Sequence, residues 1–316
     1  MEDKIDVKQS IGVDVVKTTP AVTTGRIQSA VPNVSATPKT EPMKRVTVLY
    51  HRNCTDGWCS AYLLKKVFKN AVLIDVNYGE NPPEIVDTDL LIIADFSYPK
   101  DALLDLKSKV KEIVVLDHHK TAKDQLEGLD FCTFDMNESG ASLVAAYLKK
   151  LYPTYTSPWF VDYVKDRDLW TWTLPESRAI NAFIRTFEMS EEDWDKLIAV
   201  NASIASKSGQ AILAAQKQVI DGVLKNAIKV KYEGHDAVVV NSSCYQSEIG
   251  EAACETGAAF AVVFSIRSDK KVSVSFRSKG YNVAREALRY GGGGHVQAAG
   301  CVFDRYEDFV REIIRE

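Results

Sequence analysis

The chain has little of what marks most specialised protein classes. Its six cysteines are scattered and form no Cys-x-x-Cys pair, which excludes a zinc ribbon or a disulfide framework. Reduced thiols are the expectation, and with them a cytoplasmic location. No apolar run approaches the roughly 18 residues that span a bilayer, so no membrane partner is expected. The start, Met1-Glu2-Asp3-Lys4, lacks the apolar stretch of a secretory signal. Positive charge is not in excess either: the formal net charge is −4 and the pI about 5.8. That argues against a broad basic face wrapping duplex nucleic acid, while leaving room for a local basic groove. No Gly-Lys-Ser/Thr follows the glycine run Gly291 to Gly294, which removes the nucleotide-triphosphatase reading. No internal repeat is visible. Histidine is scarce, five in 316 residues, so the place of each one carries information.

What is present suits a soluble globular protein. Hydrophobic residues make up 46% and charged residues 26%, ample for a core in one large or two ordinary domains. Residues 1–43 are rich in Thr, Val, Ser, Pro and Lys without helical or strand period, and are read as a disordered leader. Short apolar runs then alternate with helical stretches. Strands are expected over 45–50, 71–76, 90–94 and 112–116, and helices over 57–68 and 100–110. Continuous Val/Ile/Leu strands between helices predict an α/β fold, a parallel sheet with helices on both faces. That domain is expected over 44–200, followed by a connecting helix within 201–227. A smaller C-terminal α/β domain is expected over 228–316, with strands over 237–240, 259–266 and 272–276.

In such sheets, functional residues gather just beyond the carboxyl ends of the strands. Those positions hold metal-ligand side chains: His51 and Asp56 after the first strand, Asp95 after the third, and Asp117, His118 and His119 after the fourth. A lone histidine is usually a structural residue. Three histidines and three aspartates at one sheet edge are a different matter, because clustered carboxylates repel one another without a cation. Divalent ions with mixed carboxylate and imidazole ligands fit Mn²⁺ best, with Mg²⁺, Fe or Co as alternatives. Paired ions of this kind suit in-line displacement at phosphorus.

Asp117-His118-His119 closing an apolar strand resembles the signature of the DHH phosphoesterases, a family of RecJ-type nucleases, oligoribonucleases and cyclic-dinucleotide phosphodiesterases. The companions strengthen it: Tyr50-His51-Arg52-Asn53-Cys54-Thr55-Asp56-Gly57, Ala94-Asp95-Phe96-Ser97, Glu138-Ser139-Gly140-Ala141-Ser142 and Asp166-Arg167-Asp168-Leu169-Trp170 resemble further family motifs. Gly291 to His295, continuing to Ala298-Ala299-Gly300, resembles the hallmark of the DHHA1 domain, so the likeness spans 44–316 in order.

The resemblance implies two metals. His51 and Asp95 would hold the first; Asp56, Asp95, His118 and one aspartate of the fourth motif would hold the second, with Asp95 bridging. Of the fourth-motif pair Asp166 is favoured, Asp168 being the alternative. Asp117 would orient a histidine from behind, and His119 would face the substrate phosphate. The family's first motif carries two aspartates separated by one residue, and only Asp56 is present here. Asn53, by an amide oxygen, or Cys54, by a thiolate, would replace the other, unless both merely shape the turn. Arg277, Gly292, Gly293, Gly294 and His295 would grip the substrate, the alternatives being a strand-end ion pair for Arg277 and a plain loop for the glycines. His235 is read as surface, and Trp170 and Trp172 as core, the alternative being a base stacked on them. The implied activity is hydrolysis of short single-stranded oligonucleotides or dinucleotides to nucleoside monophosphates. Alternatives are a cyclic-dinucleotide or phosphoadenosine-phosphate phosphoesterase, or a catalytically decayed nucleotide-binding module. A homodimer is compatible with all of these.

Overall fold

Each apolar run of the first half becomes a strand of one five-stranded sheet. The structure is a computed structural model that describes residues 44–314, so the expected leader lies outside the described residues. The first-half elements are β1 (Val46–His51), α1 (Thr55–Val67), β2 (Val72–Val76), β3 (Leu90–Ala94), α2 (Lys100–Lys109), β4 (Glu112–Asp117), α3 (Lys120–Gln125) and β5 (Cys132–Phe134). Helices α4 (Gly140–Leu151), α5 (Val161–Asp168), α6 (Ser177–Ile184), α7 (Glu191–Ala199) and α8 (Ala202–Leu224) follow. Strand order is β2-β1-β3-β4-β5, every pairing parallel. The sheet is apolar on both sides because both are covered. Val46, Val48, Ile92 and Ala94 pack under α1, α4 and α5, whereas Leu49, Leu91, Ile93 and Val115 pack under α2 and α3. Each such Val, Leu or Ile side chain withdrawn from water contributes about 1.5–3 kcal/mol.

The 23-residue α8 starts where Asn201 caps it, its Oδ1 accepting from the Ile204 N–H at 2.9 Å. It leads to a second sheet built from β6 (Ile228–Tyr232), β7 (His235–Asn241), α9 (Gln246–Cys254), β8 (Phe260–Ile266), β9 (Val272–Ser278), α10 (Val283–Arg289), β10 (Gly293–His295) and β11 (Ala298–Phe303). A last helix, α11 (Tyr306–Phe309), runs into a π-helical turn over Val310–Ile314. Strand order is β10-β11-β9-β8-β7-β6, antiparallel except for the parallel β7–β8 pair joined through α9. One face packs on α10 and the chain end; the other packs on α9 and the end of α8. The fold is therefore α/β in both parts, as expected. The glycine run differs from a plain loop: Gly293 to His295 form an edge strand paired with Ala298 to Gly300.

Candidate metal centre

The parallel sheet sends its acidic and imidazole side chains to one edge. β1 ends at His51, and the chain turns through Asn53, whose φ is +56°, so that Cys54 precedes α1 and Asp56 lies in its first turn. Asp95 follows β3 with φ +55°, a left-handed conformation costing on the order of 1–3 kcal/mol in a non-glycine residue. Its N–H donates to the Leu116 carbonyl at 3.0 Å, which holds that strained turn against β4. β4 delivers Asp117, His118 and His119. Asp56, Asp95, Asp117 and His118 are 1, 1, 0 and 2% exposed, so these groups meet one another rather than water.

Three carboxylates converge on one imidazole nitrogen. His118 Nε2 lies 3.1 Å from Asp95 Oδ1, 3.3 Å from Asp168 Oδ2 and 4.0 Å from Asp56 Oδ2. His51 Nδ1 lies 3.6 Å from Asp95 Oδ2. Asp56 is anchored by the start of α4, its oxygens accepting from the Gly140 N–H at 2.6 Å and the Ala141 N–H at 3.0 Å. Position 140 must be glycine: a Cβ there would stand 2.5 Å from Asp95 Cβ and 2.9 Å from Asp56 Oδ2. Ser139 caps the same helix in a capping box with Ser142. The Ser-Gly-Ala motif thus serves Asp56 directly.

Asp117 works from behind. It accepts from Ser97 Oγ at 2.5 Å and from the His118 and His119 N–H groups at 2.7 and 3.2 Å, and it meets His119 Nδ1 at 2.7 Å. That fixes the ring, leaving Nε2 as the nitrogen available to a partner.

The charges need a cation. Burial, then the charges of Asp95 and Asp168, push Asp56 well above the usual carboxylate range despite its two helix N–H donors. Burial also raises Asp168. Asp95 goes the other way: burial would raise it, but the bond from His118 and the nearby His51 and His119 rings hold it low. Burial opposes protonation of His118, yet the Asp95 contact and the surrounding carboxylates pull it up to about 10. A single proton shared this way is a poor substitute for multivalent charge. Asp95 Oδ2 moreover is buried with no hydrogen-bond partner. Among the described residues, His51, Cys54 and Asp95 bring ligand atoms within 4.8 Å of one another, and so do Asp56, His118 and Asp168. Carboxylate and imidazole donors around an unpaired oxygen fit divalent metal, and Cys54 adds a sulfur whose proton burial and the nearby Asp95 hold on while no cation is bound.

The geometry reverses one sequence preference and narrows one choice that the sequence left open. Asp168, not Asp166, reaches the cluster. Asp166 Oδ1 instead accepts from Thr171 Oγ1 at 2.7 Å, the Thr173 N–H at 2.8 Å and Thr173 Oγ1 at 2.9 Å, so it ties down the turn after α5. Asn53 is exposed on the turn, whereas Cys54 joins His51 and Asp95. The spacing Cys54-Thr55-Asp56 carried that signal, since it reproduces two ligands separated by one residue.

The two halves match two family descriptions in the expected order: residues 45–159 match "DHH family, N-terminal domain", and residues 236–316 match "DHHA1 domain". The chain belongs to the DHH/DHHA1 phosphoesterase family. It is 25% identical over 286 residues to "Uncharacterized protein R106" of Acanthamoeba polyphaga mimivirus, covering 81% of this chain and 67% of that one. It is 24% identical over 303 residues to "Oligoribonuclease NrnB" of Bacillus subtilis (strain 168), covering 84% and 76%. Its fold is similar to RecJ from Thermus thermophilus in complex with Mn²⁺, with a TM-score of 0.54, 16% identity, and coverage of 86% of this chain and 51% of that one. An exopolyphosphatase-related protein from Bacteroides fragilis gives a TM-score of 0.50 at 15% identity, with coverage of 86% and 91%.

The DHHA1 part meets the DHH part through His295, whose ring stacks on His119 at 4.8 Å and lies 5.4 Å from His118. Burial, then the neighbouring His119 and His118, lowers His295 to about 4. Gly292 and Gly294 are required by packing: a Cβ on Gly292 would strike the Gly300 carbonyl, and one on Gly294 (φ +139°) would stand 2.6 Å from the Ala298 carbonyl. Gly293 has open space around it. Arg277, on β9, donates to Ser247 Oγ at 3.1 and 3.0 Å and to the Phe276 carbonyl at 2.8 Å. Among the described residues it forms no strand-end ion pair. His235 is exposed, its ring edge-on to Tyr281. Trp170 and Trp172 belong to no core cluster; both have left-handed backbone, and Arg178 lies 4.3 Å over Trp172. Tyr78 was missed: half exposed, it packs against His51, Phe96 and His119 at the mouth of the cluster. No helix among the described residues is long and apolar enough to cross a membrane.

Proposed function

We propose that this chain is a two-metal phosphodiesterase that hydrolyses short oligonucleotides or dinucleotides to nucleoside monophosphates, with Mn²⁺ as the cofactor. The observation that carries the reading is Asp95, whose two oxygens face the two donor groups, one toward His51 and the other toward His118. On this reading His51, Cys54 and Asp95 hold one ion, and Asp56, Asp95, His118 and Asp168 the other. Bound there, the ions supply an activated water and neutralise charge on the phosphoryl oxygens. Asp117 keeps His119 oriented and favours its protonated form, so Nε2 presents a proton to a phosphate oxygen. His295 closes over it from the DHHA1 side, and Arg277 grips the substrate beyond. The name of the Bacillus subtilis relative favours an oligonucleotide substrate. A decayed module is disfavoured, because the converging buried carboxylates would be a pure cost to a protein that bound no metal.

The test is incubation of the purified chain with Mn²⁺ and end-labelled dinucleotides, oligonucleotides of graded length and a cyclic dinucleotide. Mononucleotide release from the short linear substrates, abolished by chelator, is the expected result. Absence of any metal-dependent hydrolysis across that panel would overturn the proposal, and hydrolysis confined to the cyclic compound would replace the substrate class.

A further inference from the structure

Helix α10 carries a carboxylate that the metal centre does not use. Glu286 is 2% exposed, on a helix whose Val283, Ala284 and Ala287 pack into the apolar core of the second sheet. Its Oε1 accepts from Tyr281 Oη at 2.9 Å, and its Oε2 from Tyr232 Oη at 3.2 Å and Arg289 Nη1 at 3.1 Å. Tyr290 Oη lies 3.0 Å from Tyr232 Oη, which extends the network to the residue before the glycine run. A buried carboxylate is tolerated because donors answer it, yet apolar residues of the same volume often hold such a core at least as well. Stability alone therefore does not explain this network. What it adds is direction. Val283, Ala284 and Ala287 are small, and apolar contact is non-directional, so it sets the depth of a helix better than its rotation.

The same helix holds the strand that carries His295. Gly292, immediately before β10, donates its N–H to the Ala287 carbonyl at 2.9 Å. At the other end of the strand, the Val283 N–H donates to the carbonyl of Val296, immediately after β10, at 2.8 Å. β10 has three residues and lies at the sheet edge beside β11, so its own ladder is short. α10 has seven residues, too few for a helix to persist without tertiary packing. Tyr232 belongs to β6, the opposite edge of that sheet. The Glu286 network thus ties the helix that cradles one edge strand to the other edge. Beyond the cradle stands the imidazole, stacked on His119 at 4.8 Å.

We propose that Glu286 is a positioning residue for His295. Its carboxylate fixes α10, α10 grips β10 at both ends, and β10 sets the imidazole over His119. Glu286 acts through the strand and not by touching substrate. The consequence for substrate handling rests on the phosphodiesterase reading above; the hold on the strand does not. An apolar side chain at this position would keep the core filled and leave the helix free to turn by small amounts, and His295 would move with it.

The experiment uses the full chain with two substitutions. Glu286→Met fills the volume without the charge, and Tyr232→Phe, which deletes one hydroxyl, serves where the first variant does not fold. Amide hydrogen exchange at Gly292 and Val283 should quicken about tenfold or more in each, while the parallel sheet keeps its protection and the chain its Mn²⁺. With a dinucleotide and Mn²⁺, Glu286→Met should raise KM about tenfold and change kcat less. Placed on a His295→Ala background, the same substitution should leave KM nearly where His295→Ala alone puts it, since nothing remains to be positioned. A merely structural carboxylate would not show that dependence. Unchanged exchange at both amides would overturn the proposal, and so would a KM effect of equal size with and without His295. Faster exchange at the two amides, with no hydrolysis of any compound by the unsubstituted chain, would count against the phosphodiesterase reading and leave the hold on the strand standing.

Discussion

The two sheets build their contributions in opposite ways. The parallel sheet gathers Asp56, Asp95, Asp117 and three histidines at and just beyond its strand ends, where burial forces like charges together. The mixed sheet presents Arg277 and His295 from within strands, side by side across a ladder, where register alone sets their spacing. One region concentrates negative charge, and the other offers a guanidinium bonded to neutral oxygens and an imidazole that burial holds uncharged. On the proposed reading, metal would answer the first and the substrate's phosphates the second. Substitutions in the first region should therefore remove chemistry, whereas substitutions in the second should weaken grip.

The sharpest break is Asp95→Ala. Removing the carboxylate between both donor groups should cut hydrolysis by several orders of magnitude and lower Mn²⁺ binding, read by rate and by metal analysis after dialysis. Near-normal turnover would contradict the shared-ligand geometry. The next largest effect separates two neighbours. Asp168→Asn should cost roughly 10²-fold or more in rate, at least as much as losing a group that merely supports a ligand. Asp166→Ala should instead leave the hydroxyls of Thr171 and Thr173 without their shared acceptor, costing about 1–3 kcal/mol of stability. The readout is Tm, lower by a few degrees. If Asp166→Ala abolished activity in a protein that melts normally, the assignment would be reversed.

On the cationic side, Arg277→Ala should raise KM about tenfold or more while metal binding persists, measured by kinetics and metal titration together. Loss of metal in that variant would erase the division between the regions. The smallest effect is a shift in metal requirement. Cys54→Asp supplies a harder, anionic oxygen donor and should lower the Mn²⁺ concentration for half-maximal activity a few-fold. Asn53→Asp, on the exposed turn, should not move it.

Much of this was legible because apolar strands and scarce metal-ligand residue types are both strong signals. Val46 to Tyr50 and Leu90 to Ala94 can hardly be anything but buried strands, and the residue after each then falls at the sheet edge. The choice between Asp166 and Asp168 was not legible. They lie two residues apart on α5, about 200° around the helix, so only one can face the cluster, and chain direction does not say which. The choice between Asn53 and Cys54 stayed open because both residue types can ligate; the readiness of asparagine to take a left-handed φ was the one hint that Asn53 makes the turn instead. Strand β10 was hidden by composition, since Gly-Gly-His carries little strand preference and shows no alternation of apolar and polar residues. Trp170 and Trp172 misled in the other direction: large aromatic residues suggest core, yet here they line a turn beside Arg178.

His295 also sets an order of assembly during synthesis. Every acidic group at the metal centre lies between Asp56 and Asp168, in the part of the chain that leaves the ribosome first. Domains generally fold as units, N-terminal first. The nascent chain can close its five-stranded sheet and gather those carboxylates before β10 has been made. The imidazole that stacks on His119 arrives only with the last stretch of sequence, so competence to hold a cation precedes competence to handle a substrate. On the proposed reading, a half-made chain would carry the metal-ligand residues but lack the imidazole that stacks on His119.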